Sequence, residues 1–157
     1  MIDPKRIAVI GAHTHALYAY GLKNSMPWPP EALKKDMLER FKPITEEAPE
    51  DKQNLLIAGM ATFEAMRRKP LKGRYLMGVS RQVEQVQIFK SGAMLATSFD
   101  EGLAWAERHL ADLHHVFFIG GRSCWEEGLK RASMAYITLI HKEAEDPNLI
   151  CLDESLV

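Results

Sequence analysis

Gly120 and Gly121 stand between an apolar run and a helix-forming one, and that placement is one way to bind an anion. Val116 to Ile119, four apolar residues of β-branched and aromatic type, read as a buried strand. Ser123 suits the N-cap of a helix that Trp125 to Leu129 begins. Strand, paired glycines and helix start let a phosphate approach bare amide N–H groups at the positive end of a helix dipole. There is no third glycine, so this is not a dinucleotide fingerprint, and the same residues also suit a plain tight turn. Asp36 and Arg40, four apart, could form a surface pair worth roughly a few tenths of a kcal/mol. His13/His15 and His114/His115 lack a second ligand type at metal spacing and read as turn and surface residues. No hydroxyl, thiol or amine forms a recognisable nucleophile set.

These residues need a scaffold, and the chain supplies an α/β pattern. Arg6 to Ala12, Asn54 to Gly59, Arg74 to Ser80 and Val116 to Ile119 are short apolar runs of the kind buried on both faces. Tyr18 to Lys23 and Ala93 to Thr97 are weaker strands, and Met134 to Ile140 alternates enough to lie near a sheet edge. Glu31 to Lys42 reads as an amphipathic helix with Leu33, Met37, Leu38 and Phe41 as its stripe, ended by Pro43. A short helix starts over Thr62 to Met66, and Ser98 or Asp100 caps another through about Leu110. Strands interleaved with helices indicate a mostly parallel sheet.

At 157 residues the chain reads as one domain, 1–157. A net charge of −1 offers no basic field for nucleic acid or an anionic membrane, so neither is expected as a partner. Two cysteines, Cys124 and Cys151, make no disulfide framework, and the start lacks an apolar signal core; the expected location is cytoplasmic.

Taken in order, Ile7-Ala-Val-Ile-Gly-Ala12, Gly21-Leu-Lys-Asn-Ser-Met-Pro-Trp28, Ala58-Gly-Met-Ala-Thr-Phe-Glu64, Pro70-Leu-Lys-Gly-Arg74, Ile119-Gly-Gly121 and Tyr136-Ile-Thr-Leu-Ile140 resemble the dihydrofolate reductase family over nearly the whole chain. The resemblance implies a central mixed, mostly parallel sheet flanked by helices, and NADPH-dependent reduction of dihydrofolate. It implies a catalytic set of Asp36, Trp28 and Thr138: the acid holds the pterin, and the threonine holds the acid. Substrate contacts would come from Ala12, Met37, Phe41, Met66, Leu71, Arg74 and Ile119, with Arg74 binding a carboxylate of the folate tail. Cofactor contacts would come from Ala12, Gly21, Asn24, Met26, Gly59, Ala61, Thr62, Ser80, Arg81, Gly120, Gly121, Arg122, Ser123, Cys124 and Trp125. Asn24 to Trp28 would close as a lid that excludes water.

The chain departs from the family pattern at four places, one of them a longer segment between Trp28 and the acid. The family places an aromatic four residues after the acid; here Arg40 holds that place and Phe41 comes one residue late. Met60 stands where many relatives carry a basic residue for the cofactor 2′-phosphate, a charge that Arg81 could supply. The sequence stops at Val157, so the C-terminal edge hairpin is expected to be missing or reduced. The Met134 strand would then be covered by Leu149 to Leu152 folding back or by a second chain, giving a monomer or an edge-paired homodimer. Alternative readings are a weakly active or inactive folate- or nucleotide-binding protein and a pyrimidine reductase of riboflavin synthesis.

Overall fold

Seven strands form one sheet in the order β5-β6-β4-β3-β7-β1-β8, and every neighbouring pair is parallel except β5 and β6. The strands are β1 (Ile7–Thr14), β3 (Gln53–Ala58), β4 (Arg74–Val79), β5 (Gln87–Ile88), β6 (Met94–Ala96), β7 (Leu113–Gly120) and β8 (Met134–Ile140). The computed structural model describes residues 1–14, 19–21, 34–140 and 150–151. A separate antiparallel pair joins β2 (Ala19–Gly21) to β9 (Ile150–Cys151).

The apolar runs explain the sheet. On β3, Leu55 and Ile57 join Val116, Phe118 and Met77 in one buried cluster, while Leu56 and Ala58 join Phe117, Ile119 and Leu76 in another. Alternation sends successive side chains to opposite faces, so an uninterrupted apolar strand can bury both. The first face is covered by α3 (Phe99–His109), capped by Ser98 as its sequence suggests, and α4 (Arg122–Arg131). At Gly128 an added Cβ would lie 2.7 Å from both Phe118 and Val9, so α4 rests directly on the strands. The second face meets Phe41, Ile44, Met66 and Leu71 and the short helix α2 (Met60–Ala65).

Several expectations need correction. The first helix does not end at Pro43: a π-helical turn, Met37–Phe41, runs straight into α1 (Lys42–Glu46). Pro43 sits in the first turn of α1, where a missing N–H and a fixed φ are tolerated. The wider turn also carries Leu38 to the surface, 56% exposed, although the helical stripe assigned it inward. The N-cap of α4 is Gly121, with the helix starting at Arg122, rather than Ser123. His13 is not at a turn but buried in β1. Residues 150–151 pair with β2 instead of covering β8, the last strand of its sheet.

Candidate active site

The carboxyl ends of parallel strands leave a crevice at which α/β proteins bind ligands. Three strands bring their ends together here. β1 lies between β7 and β8, and Ala12 on β1 stands in register with Thr138 on β8. The Thr138 hydroxyl donates to Oδ1 of Asp36 at 2.7 Å, closing the gap between the sheet edge and the helix. Asp36, Met37, Ala12 and Thr138 are all half-buried, and Phe41 packs on the same sheet face as Ile119 and Ile10. Met66 and Leu71 pack against the same cluster. Asp36 and Arg40 share no ion pair among the described residues, so the surface-pair alternative has no counterpart.

The glycine turns meet each other. The Gly59 N–H donates to the Gly120 carbonyl at 2.7 Å, and an added Cβ on Gly59 would lie 3.4 Å from the Gly121 nitrogen. Gly59 caps α2 and Gly121 caps α4, and neither helix start receives a side-chain hydrogen bond. Gly120 adopts φ 123°, and a Cβ there would press within 2.8 Å of the Trp125 ring. That backbone is open to glycine and closed to larger residues. Gly121 has nothing within 4 Å of the position a Cβ would take.

Residues around these turns divide by what they already hold. Trp125 donates its indole N–H to the Ile10 carbonyl at 3.0 Å and lies over Gly11 and Gly120, sealing β1 to β7. The Cys124 thiol is buried and donates to the Ile57 carbonyl at 3.2 Å; burial pushes its pKa up to about 12, against the opposing hydrogen bonds of nearby backbone. Its side chain therefore belongs to the core. Arg122 donates to Glu126 at 2.8 Å on the surface of α4, and Ser123 is exposed beside it. Ala61 is exposed and Thr62 half-buried on α2. Ser80 continues the β4 pairing through its N–H to Ala96, and Arg81 follows in an exposed turn. Gly21 lies in β2. Asn24, Met26 and Trp28, assigned to the loop over the cofactor, lie outside the described residues.

Arg74 is not the solvated arginine usual at a strand start; it is 6% exposed. Its Nε donates to the Lys72 carbonyl and its Nη1 to the Thr45 hydroxyl, both at 3.1 Å, with a Glu46 carboxylate oxygen 3.9 Å from Nη2. Burial lowers its pKa and Glu46 opposes the shift. An arginine remains a cation under such opposition.

Sequence reasoning missed the residues that hold the helix. The Asn54 side chain, 1% exposed, donates to the carbonyls of Thr45 and Glu47 at 2.8 and 2.9 Å, and accepts from the His115 N–H at 2.9 Å. Its signal was a polar residue at the head of an apolar run. The His115 N–H is available because β7 bulges there: Gln53 pairs with Leu113 but Leu55 with Val116. The bulge stacks the rings of His114 and His115 at 4.0 Å, and burial lowers the His115 pKa, helped by His114 and Arg6. A cavity of about 560 Å³ lies between Ile44, Glu47, His114, His115 and Tyr136; neither Asp36 nor Thr138 lines it.

Known proteins match this sequence. The dihydrofolate reductase family profile matches residues 6–150. A dihydrofolate reductase type 3 of Salmonella typhimurium is 34% identical over 134 residues, covering 85% of this chain and 71% of its own length. A human herpesvirus 8 type P (isolate GK18) protein bearing the dihydrofolate reductase name is 30% identical over 132 residues, 82% of this chain and 60% of its own. A bifunctional dihydrofolate reductase-thymidylate synthase of Paramecium tetraurelia is 30% identical over 130 residues, 80% of this chain and 24% of its own. The chain thus spans less than two thirds of the latter two. With the profile covering most of its length and a parallel-dominated sheet carrying the glycine turns in order, the chain belongs to the dihydrofolate reductase family.

Proposed function

We propose that this chain reduces 7,8-dihydrofolate to tetrahydrofolate with NADPH, by hydride transfer to the pterin. The observation that carries the reading is the Thr138–Asp36 hydrogen bond beside Ala12. It fixes a half-buried carboxylate beside the apolar cluster on which Phe41 packs, where it can accept from a pterin's 2-amino group and N3. Hydride arriving at C6 requires a proton at N5, and a fixed negative charge favours the protonated pterin. Phe41, Met66, Leu71 and Ile119 supply apolar contact for the rings. Arg74, whose planar fork suits a carboxylate, is the group for the folate tail.

The cofactor reading is supported by two helix starts meeting at Gly59 and Gly121, both uncapped by side chains, with open space over Gly121. Gly121 and the first residues of α4 would hold the pyrophosphate through backbone N–H groups, with Gly59 and Gly120 lying against it as bare backbone. NADPH, when bound, supplies the hydride. Arg81 supplies the positive charge for the 2′-phosphate that Met60 cannot. Mixing the protein with NADPH and dihydrofolate should bleach nicotinamide absorbance, against boiled enzyme as control. Folate binding without bleaching would leave a binding protein instead.

A further inference from the structure

The helix bearing Asp36 has one residue more between acid and aromatic than the family spacing. On an unbroken α-helix, Arg40 would stand about 40° round the axis from Asp36 and Phe41 about 140°. The observed burial is the opposite of what that predicts: Phe41 packs against the sheet cluster and Arg40 is exposed. The π turn accounts for the inversion, since the Lys42 N–H reaches back to the Met37 carbonyl, five residues earlier. Such a turn holds one additional residue. Both ends of the segment are pinned. Asp36 is held by Thr138, and beyond the turn Thr45 donates to the Phe41 carbonyl at 2.6 Å and meets Arg74 and Asn54.

We propose that the π turn Met37–Phe41 is a positioning element: it stores the surplus residue so that both anchors keep their partners and Phe41, not Arg40, faces the substrate. The substrate part rests on the reading above. The anchors lie on different strands, β8 at one end and β3 with β4 at the other, so the sheet cannot yield to a shift in helix register. The extra residue has to be taken up between them.

Deleting Arg40 tests this, with Arg40→Ala as the control of unchanged length and an alanine inserted after Arg40 as the opposite change. The deletion should restore an ordinary α turn, keeping the melting temperature within about 2 °C of wild type and the KM for dihydrofolate within about threefold. The insertion should lower the melting temperature by about 4 °C or more, and raise KM about tenfold with less effect on kcat. A deletion variant that fails to fold, melts about 5 °C lower, or keeps its stability with a KM about tenfold higher would overturn the proposal. Should wild type leave dihydrofolate unreduced, the functional reading falls, while the melting temperatures of deletion and insertion still decide the turn.

Discussion

Thr138 and Asp36 meet at 2.7 Å although they are 102 residues apart, one on the outermost strand and the other on a helix reached early in the chain. The threonine hydroxyl has a single hydrogen and donates it to this carboxylate, while Ala12 on β1 stands in register with Thr138.

Asp36→Asn keeps the shape and removes the charge. We expect the hydride-transfer step at neutral pH to slow by a factor on the order of 10²–10⁴. The deficit should narrow at low pH, where solvent protonates the substrate beforehand. Single-turnover absorbance traces across pH would check this; wild-type rates at neutral pH would exclude Asp36 as the acid.

Thr138→Val removes the donor but preserves the volume. A hydrogen bond to a charged group is worth roughly 1.5–3 kcal/mol, so kcat/KM should fall by about ten- to hundredfold. Thr138→Ser should recover most of it. Equal losses in both variants would point to lost packing instead.

Arg81→Ala should raise the KM for NADPH about ten- to hundredfold through loss of a charge-assisted contact, leaving NADH nearly unchanged. Steady-state kinetics with both cofactors measures the difference. Parallel losses would remove Arg81 from the 2′-phosphate.

Asn54→Ala leaves two carbonyls and one N–H buried without their partner. The cost should be about 2–4 kcal/mol, seen as a lower urea midpoint at unchanged slope. A change below half a kcal/mol would mean that water replaces the amide, on the scale of about 0.5 kcal/mol typical for surface changes.

Tyr75 donates to Asp112 at 2.5 Å, and burial, then the bond and charge of that carboxylate, raise its pKa to about 12. The phenol ionises near pH 10 in an unfolded chain, at about its reference value. Its contribution is therefore complete below about pH 10 and lost as pH rises toward 12. Phenolate absorbance should show a late-titrating component that is lost in Tyr75→Phe.

Where local chemistry decides, the sequence was readable. Leu55 to Ile57 and Val116 to Ile119 have no polar residue to expose, so no other placement is open to them. Ser98 caps α3 because its hydroxyl accepts from Glu101 nearby. The helix of Asp36 was less readable because its shape is set from outside. Thr45 in α1 and Asn54 on β3 hold the far end of the segment, and the segment's own residues give no sign of those contacts. Ser123 has the side chain of a capping residue, yet the N-cap of α4 is the bare Gly121. The pairing of Ile150–Cys151 with β2 depends on two short segments whose own preference for partners is weak.

The sheet order also sets a timetable. β1 pairs only with β7 and β8 among its sheet neighbours, so Ile7 to Val9 wait for Val116 to Phe118, and Ala12 for Thr138. During synthesis at about 5–20 residues per second, both edges of β1 stay unpaired for several seconds or longer. Two apolar edges left open that long invite association between nascent chains. Within the seven-stranded sheet, β1 with β8 is the last pairing that synthesis makes available, and it is also the one that brings the carboxylate's partner Thr138 into place.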